Sequence, residues 1–361
     1  MGFEVRGEPS DIDAGWMTAA LERGGVARGA TVTELAFTGF VGTGQMSRNG
    51  RFALTWDEPE GRPVTVMGKF PSLDETCRTA AFQGGAYRKE YLFYAELAAT
   101  VDVRSPRCWF AGYDDERADC VLLLEDLVDS RGGDHLAGIT DDEVSLAVEQ
   151  AVALHAPRWG DPALAGHPAF PATAAERAAR LGEFFPMFVE GCLAQHPDRF
   201  DDDVTGLLRR FGTVIGRWSL GTGSPATLVH GDFRPDNFLF GRNASAPPLA
   251  IVDWQTYTAV AGPTDLAYLL GGSFEAEPRR RLEAATVEEY RARLAAAGID
   301  YPAADCWRDY RWGSLHGVMI AVTALLVAAR TERGDEVLTL MAERHARHAL
   351  ELDALGVVEA L

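Results

Sequence analysis

One ten-residue stretch constrains this chain more than any other. Leu228-Val229-His230-Gly231-Asp232-Phe233-Arg234-Pro235-Asp236-Asn237 sets an asparagine five positions after an aspartate, directly ahead of an apolar run. Phe238-Leu239-Phe240, a turn at Gly241-Arg242-Asn243 and the run Leu249-Ala250-Ile251-Val252 predict a β-hairpin closed by Asp253. A hairpin brings its two ends together. Asn237 and Asp253 are therefore expected to be neighbours although sixteen positions separate them. Asp232 adds a third oxygen-bearing side chain. Such a cluster suits a hard divalent cation that keeps several waters and binds substrate phosphates. Any one of these residues alone reads as a solvated loop position or a turn cap; the ordered set carries the chemistry.

The spacing H-x-D-x-x-x-x-N, then a strand pair, then Asp, matches the catalytic core of kinases. That match makes demands upstream: a Gly-rich turn over the phosphates, a lysine on a following strand, and a glutamate on the next helix. A first helix is expected from a cap at Ser10 or Asp11 to about Arg23, ended by Gly24-Gly25. Strand-like runs follow at Thr31–Phe37, Arg51–Trp56 and Val64–Phe70. Between the first two lies the turn Thr38–Gly50, where Gly42 and Gly44 would let backbone N–H groups approach phosphate. Lys69 ends the third strand, and Glu90 lies on a helix expected from about Ala86 to Ala99. An ion pair between them would orient the ammonium toward the α- and β-phosphates. Lys69 and Lys89 are the only lysines in an arginine-rich chain. Lys89 adjoins Glu90 but points elsewhere on the helix, and is read as solvent-facing. Strands at Cys108–Tyr113 and Cys120–Leu124 complete the first half. The joint Val121–Leu127 would be a hinge, where an adenine ring meets backbone groups at the positions of Glu125 and Leu127.

After Asp126 the texture changes to helices rich in Ala, Leu, Glu and Arg, interrupted by the strand-like stretch Thr227–Val252. With 361 residues, the chain reads as two lobes of α+β class: residues 1–126, small and β-rich, and residues 127–361, larger and mostly helical. Lys+Arg number 34 against 53 Asp+Glu, a net charge of −19 that repels phosphate backbones and argues against a nucleic-acid partner. The five scattered cysteines form no CxxC pair, and read as thiols in a reducing cytoplasm. No signal peptide is seen at the start. The longest apolar run, Gly317–Ala329, is too short for a bilayer and reads as a buried helix, so no membrane partner is expected. Nothing in the sequence points to a protein partner.

The sequence resembles the aminoglycoside phosphotransferase / choline kinase superfamily, and most its ecdysteroid-kinase-like branch. The segments that carry the resemblance are Gly42–Ser47, Val66–Phe70, Lys89–Tyr94, Leu122–Leu127, His155–Trp159, His230–Asn237, Ile251–Gln255 and Gly262–Ala267. The resemblance implies a bilobal protein-kinase-like fold and Mg²⁺-dependent transfer of the γ-phosphoryl group of ATP (or GTP) to a small-molecule hydroxyl. It implies Asp232 as catalytic base, Asn237 and Asp253 as Mg²⁺ ligands, and Lys69 with its partner Glu90 at the phosphates. Gly42, Gly44, Ser47, Glu125 and Leu127 would contact the nucleotide. Asp265 would brace the catalytic loop, or cap a helix; His230 would orient the loop, or be a satisfied core histidine.

Two departures narrow the substrate. Asp253 is followed by Trp254-Gln255 rather than Phe-Gly, and only twelve positions separate Asp253 from Asp265. That leaves no room for an activation segment that docks a peptide. A small acceptor is expected in the helical lobe, facing Asp232. Phe184, Phe185, Phe188, Trp307, Tyr310 and Trp312 are aromatic candidates for its pocket, with core packing the commoner use of such residues. Asp305, Asp309 and Glu183 leave a cationic aminosugar open beside a bulky alcohol or quaternary amine. The competing expectation is a nucleotide-binding pseudokinase with a regulatory role.

Overall fold

A computed structural model describes residues 3–42, 46–327 and 332–361. The chain opens with a short 3-10 turn, Pro9–Asp11, and helix α1, Ala14–Arg23. The cap is Asp13, whose carboxylate accepts from the Trp16 amide at 2.7 Å, two residues later than the sequence suggests. Strands β1 (Val32–Val41), β2 (Ser47–Trp56), β3 (Thr65–Pro71), β4 (Cys108–Asp114) and β5 (Asp119–Glu125) follow. They form one antiparallel sheet in the order β1-β2-β3-β5-β4. The first hairpin is longer than expected. A register shift between Phe37 and Gly39, with φ +126° at Gly39, lets β1 and β2 stay paired up to Val41 and Asn49. One face of the sheet buries Phe52, Leu54, Val66, Phe70, Val121 and Leu123 against Trp16, Met17 and Leu21 of α1.

Between β3 and β4 lie α2 (Glu75–Gln83), which the sequence reading did not anticipate, and α3 (Ala86–Leu92). The helical path then continues through a π-turn, Phe93–Leu97, and a 3-10 turn, Ala98–Thr100. This segment joins the halves of the molecule. Leu92, Phe93 and Leu97 pack into a core otherwise built from the second lobe. The Phe93 ring stacks on Trp254 with centroids 3.8 Å apart and planes 5° apart.

The second lobe is mostly helical: α4 (Asp141–His155), α5 (Ala174–Gln195), α6 (Asp202–Trp218), α7 (Pro263–Ser273), α8 (Ala276–Ala296), α9 (Ala303–Val327), α10 (Glu332–Glu351) and α11 (Ala354–Ala360). Thr140 with Glu143, and Thr173 with Glu176, close capping boxes at the starts of α4 and α5. Small strands carry the chemistry-bearing loops: β6 (Ser130–Gly132), β7 (Thr227–Val229), β8 (Phe238–Gly241), β9 (Leu249–Ile251) and β10 (Thr258–Val260). The expected hairpin is β8-β9, with Phe238 opposite Ile251 and Phe240 opposite Leu249. Strands β6 and β10, too short to read from the sequence, pair with β8 and β7. Among the described residues no helix is long and apolar enough to cross a membrane.

The Phe93–Trp254 stack is fully buried and ties α3 to the loop after β9. Phe93→Ala is expected to lower the unfolding free energy by about 3–5 kcal/mol. Urea denaturation of the two proteins checks this; a loss of under about 1 kcal/mol would contradict the role given to the stack.

Candidate active site

Strand β3 alternates its side chains across the sheet. Lys69 thus faces away from the core that takes Phe70, and points toward α3. Its Nζ lies 2.6 Å from Glu90 Oε1 and 3.1 Å from Asp253 Oδ1. Glu90 is in turn held by the loop that follows Asp253. Its Oε1 accepts from the Trp254 amide at 3.3 Å, and its Oε2 from the Gln255 side-chain amide, Nε2, at 3.0 Å. Burial pushes the Lys69 pKa down, but the carboxylates of Asp253 and Glu90 outweigh it and the net shift is upward. Burial pushes Glu90 up against the pull of Lys69. Three residues far apart in sequence thus meet at one ammonium.

The loop between β7 and β8 is shaped by backbone as much as by side chains. Gly231 has φ +78°, and a Cβ there would lie 2.6 Å from the Thr256 carbonyl, so the position admits only glycine. His230 is buried, and both ring nitrogens work: Nε2 donates to Val252 O at 3.0 Å and Nδ1 accepts from the Asp232 amide at 3.2 Å. Asp265 sits in the first turn of α7 and is not its cap. Its carboxylate accepts from the His230 and Gly231 amides at 2.7 and 2.9 Å, and from His155 Nε2 at 3.2 Å. Burial alone would raise the Asp265 pKa; these donors lower it overall.

Asp232 is gripped at both oxygens. Asn237 Nδ2 donates to Oδ2 and to the Asp232 carbonyl, each at 2.8 Å. Tyr268 donates its phenol to Oδ1 at 2.6 Å, and Arg234 Nε lies 3.1 Å from the same oxygen. Burial pushes this carboxyl up, but Arg234, Tyr268, His230 and Asn237 together bring it down to about 2. Asn237 and Asp253 come together as the hairpin requires: the Val252 amide donates to Asn237 O at 3.0 Å. Asp253 itself has φ +69°, which turns its carboxylate out of the hairpin toward Lys69, with its side chain 41% exposed.

The other expected positions fall as follows. Gly42 has φ +82° just past β1, while Gly44 lies outside the described residues. Ser47 is the buried first residue of β2, opposite Pro71, and lines a small cavity with Lys69, Glu90 and Tyr87. The Glu125 amide donates to Arg107 O at 2.8 Å, and its side chain accepts from Arg104 at 2.8 Å. Leu127 O accepts from the Ser130 amide at 3.0 Å. Lys89 departs from expectation. It does not face solvent: its Nζ donates to Tyr257 O at 3.1 Å beneath the Phe170 and Tyr257 rings, and burial brings its pKa down to about 8. Of the aromatic pocket candidates, Phe185, Tyr310 and Trp312 are core residues, and Phe184 is exposed. Phe188 and Trp307 are half-buried.

Sequence reasoning missed four participants. Arg234 and Tyr268 hold Asp232, and Gln255 holds Glu90. Asp126, at the joint, receives a two-pronged bond from Arg51 of β2 at 2.7 and 3.0 Å. Tyr268 had a signal, since it stands three residues after Asp265 on one face of α7.

The architecture is that of a bilobal, kinase-like phosphotransferase. The sequence pattern of the phosphotransferase enzyme family (APH) matches residues 85–310, more than half of the chain, and the protein belongs to that family. Solved structures share the fold at low identity. A microcompartment-associated aminopropanol kinase is 16% identical, with 96% of this chain and 100% of that chain covered and a TM-score of 0.53. Choline kinase from Cryptosporidium parvum is 10% identical, with 96% and 98% covered and a TM-score of 0.53. The GDP complex of wild-type aminoglycoside 2'-phosphotransferase-IIIa is 19% identical, with 88% and 94% covered and a TM-score of 0.50. No curated protein sequence matches the chain.

Behind the Asp232 loop lie buried imidazoles whose neutral form burial favours. Burial, with Arg234 adding to it, brings His135 down to about 4 from 6.5, and burial lowers His345, His316 and His348 too. The unfolded chain therefore binds more protons than the folded one between these values. The stability these groups contribute is full above about pH 6.5 and drains away as the pH falls toward 4. Denaturation midpoints in urea at pH 7, 6 and 5 are expected to fall in that order; a flat series would refute the neutral cluster.

Proposed function

We propose that the chain transfers the γ-phosphoryl group of ATP (or GTP) to a hydroxyl of a small acceptor, with Asp232 as the base. The observation that carries this reading is the meeting of Glu90 and Asp253 at one buried ammonium, Lys69 Nζ, with distances of 2.6 and 3.1 Å. That contact sets a buried lysine against a carboxylate two residues beyond strand β9, the arrangement a phosphate-binding lysine needs. Among structures of the same fold are an aminopropanol kinase, a choline kinase and a phosphotransferase bound to GDP, which supports a nucleotide co-substrate and a small acceptor. In this reading residues 1–126 form the nucleotide lobe, with Gly42, Gly44 and Ser47 beside the phosphates and Glu125 and Leu127 meeting the base through backbone groups. Residues 127–361 supply the loop and the acceptor side.

A magnesium ion fits the donors. Asn237 spends its amide nitrogen on Asp232, which leaves its carbonyl oxygen as the group to offer a cation. Asp253 spends one oxygen on Lys69 and is partly open to solvent. Among the described residues no group of three or more His, Cys, Asp or Glu side chains is placed to hold a metal. Two protein oxygens suit an ion that takes its remaining ligands from phosphates and water. When bound, such an ion would offset negative charge on the nucleotide phosphates, with Asn237 and Asp253 as the residues that would hold it.

The chain's own residues do the rest. Asp232, ionised and fixed, accepts a hydrogen bond from the acceptor hydroxyl. The hydroxyl oxygen bonds to the γ-phosphorus as the bridging bond to the β-phosphate breaks, and its proton passes late to Asp232. Lys69 holds the α- and β-phosphates and offsets the charge gathering on the departing nucleoside diphosphate. Most of the acceleration is positioning and electrostatics, since such transfer needs little covalent help.

Asp232→Ala and Asp253→Ala are each expected to lower kcat at least about a hundredfold, about 2.7 kcal/mol. EDTA should abolish turnover. The measurement is ADP release over a panel of amino alcohols, aminosugars and neutral alcohols. Near-normal turnover by a folded Asp232→Ala protein would sink the assignment. Nucleotide binding without transfer to any acceptor would favour a pseudokinase.

A further inference from the structure

We propose that Tyr268 is a positioning residue for phosphoryl transfer: its phenol fixes the orientation of the Asp232 carboxylate toward the acceptor hydroxyl. The inference rests on the phosphotransfer reading above and adds to it a residue that acts through the base.

A carboxylate on a single Cβ–Cγ bond rotates freely unless both oxygens are held. Asn237, on the loop itself, holds Oδ2 at 2.8 Å. Tyr268, on α7, holds Oδ1 at 2.6 Å, the length of a hydroxyl–carboxylate bond strengthened by charge. The two anchors sit on different elements, so any rotation of the carboxylate breaks both. The lone-pair direction left over becomes a fixed bearing for an incoming hydroxyl. Arg234 cannot replace Tyr268 in this. Its Nε lies 3.1 and 3.3 Å from the two oxygens and its Nη1 3.2 Å from Asp236, so it straddles the group and does not orient it.

Tyr268 is itself immobile. It is 1% exposed, and its ring lies 4.9 Å from the His345 ring and 5.7 Å from that of His316. His316 donates through Nε2 to Gly231 O at 2.8 Å, so the residue that backs the phenol also holds the loop. Gly271, Gly272 and Gly317 leave the space that His345 fills; a Cβ at any of them would collide with the imidazole. Asp265 lies one turn before Tyr268 and grips the His230 and Gly231 amides. One face of α7 therefore sets the loop backbone with one side chain and the base with the next.

The test is a double-mutant cycle on turnover, read as ADP release from MgATP. Tyr268→Phe, which keeps the ring, is expected to lower kcat about 10- to 100-fold while the nucleotide KM stays within about twofold. In an Asp232→Asn background the same change should cost less than about twofold, because the group it positions is gone. An equal cost in both backgrounds, or an unchanged kcat in Tyr268→Phe alone, would overturn the inference while leaving the phosphotransfer reading intact. Near-normal turnover by Asp232→Asn alone would overturn both. Should Tyr268→Phe fail to fold, 3-fluorotyrosine at position 268 alters the donor and little else. A changed kcat at unchanged Tm supports the role, and an unchanged kcat refutes it.

Discussion

The contact among Lys69, Glu90 and Asp253 is the constraint on which the rest of the site depends. It gathers a strand, a helix and a hairpin end at one ammonium, and Glu90 and Lys69 are almost fully buried there. Burying ions costs several kcal/mol each, and mutual attraction repays it only when the remaining hydrogen-bonding positions are filled. They are filled here by the Trp254 amide and by Gln255, both just after Asp253. The same short segment therefore supplies one carboxylate to Lys69 and stabilises the other. Its place is secured by Trp254, which stacks on Phe93 one helical turn beyond Glu90. The arrangement is closed: moving α3, β3 or the Asp253 loop breaks bonds at the other two. It also gathers two carboxylates around one cation, an excess of negative charge that a divalent ion would offset.

The second organising element is α7. Its first turn sits under the β7–β8 loop, and every residue of the helix is buried. Such a helix cannot shift without disturbing the core around it, so it serves as a rigid reference. Asp265 uses that rigidity to satisfy two amides that the left-handed turn at Gly231 points inward. His155, whose Nδ1 accepts from the Tyr290 phenol at 2.8 Å, carries the reference on to α4 and α8. A buried carboxylate with two amide donors and an imidazole is satisfied on all sides, which is the condition under which such a charge stabilises rather than strains.

The site was legible in the sequence where spacing alone dictates geometry. A β-hairpin forces its ends together, so Asn237 and Asp253 were readable as neighbours, and the order of a lysine strand followed by a glutamate helix made Lys69 and Glu90 readable as a pair. What depends on packing was not readable. Lys89 looked like a solvent residue because helical spacing says only that it differs from Glu90; its shelter comes from Phe170 and Tyr257, far along the chain. Helix α2 was missed because only Ala81 of its residues is buried, so it carries no apolar stripe. The three-residue strands β6 and β10 have no period of their own and exist because β8 and β7 pair with them. Arg234, in plain view in the motif, was passed over because arginine beside aspartate in a loop is common, and only burial turns that pair into part of the site.

The short path from Asp253 to Asp265 bears on the acceptor proposed for Asp232. In twelve steps the chain must supply Gln255 to Glu90, bond Thr256 Oγ1 to the His230 carbonyl at 3.1 Å, pair β10 with β7, and enter α7. Residues 258–260 pair with Thr227–Val229 in a two-stranded sheet just ahead of α7. Under the proposed reading a small acceptor is recognised by side chains converging on a cleft, and the grip of Asn237 and Tyr268 on Asp232 would give its hydroxyl a defined direction of approach. The economy of that segment, as much as the motif itself, supports the proposal of a small hydroxyl acceptor.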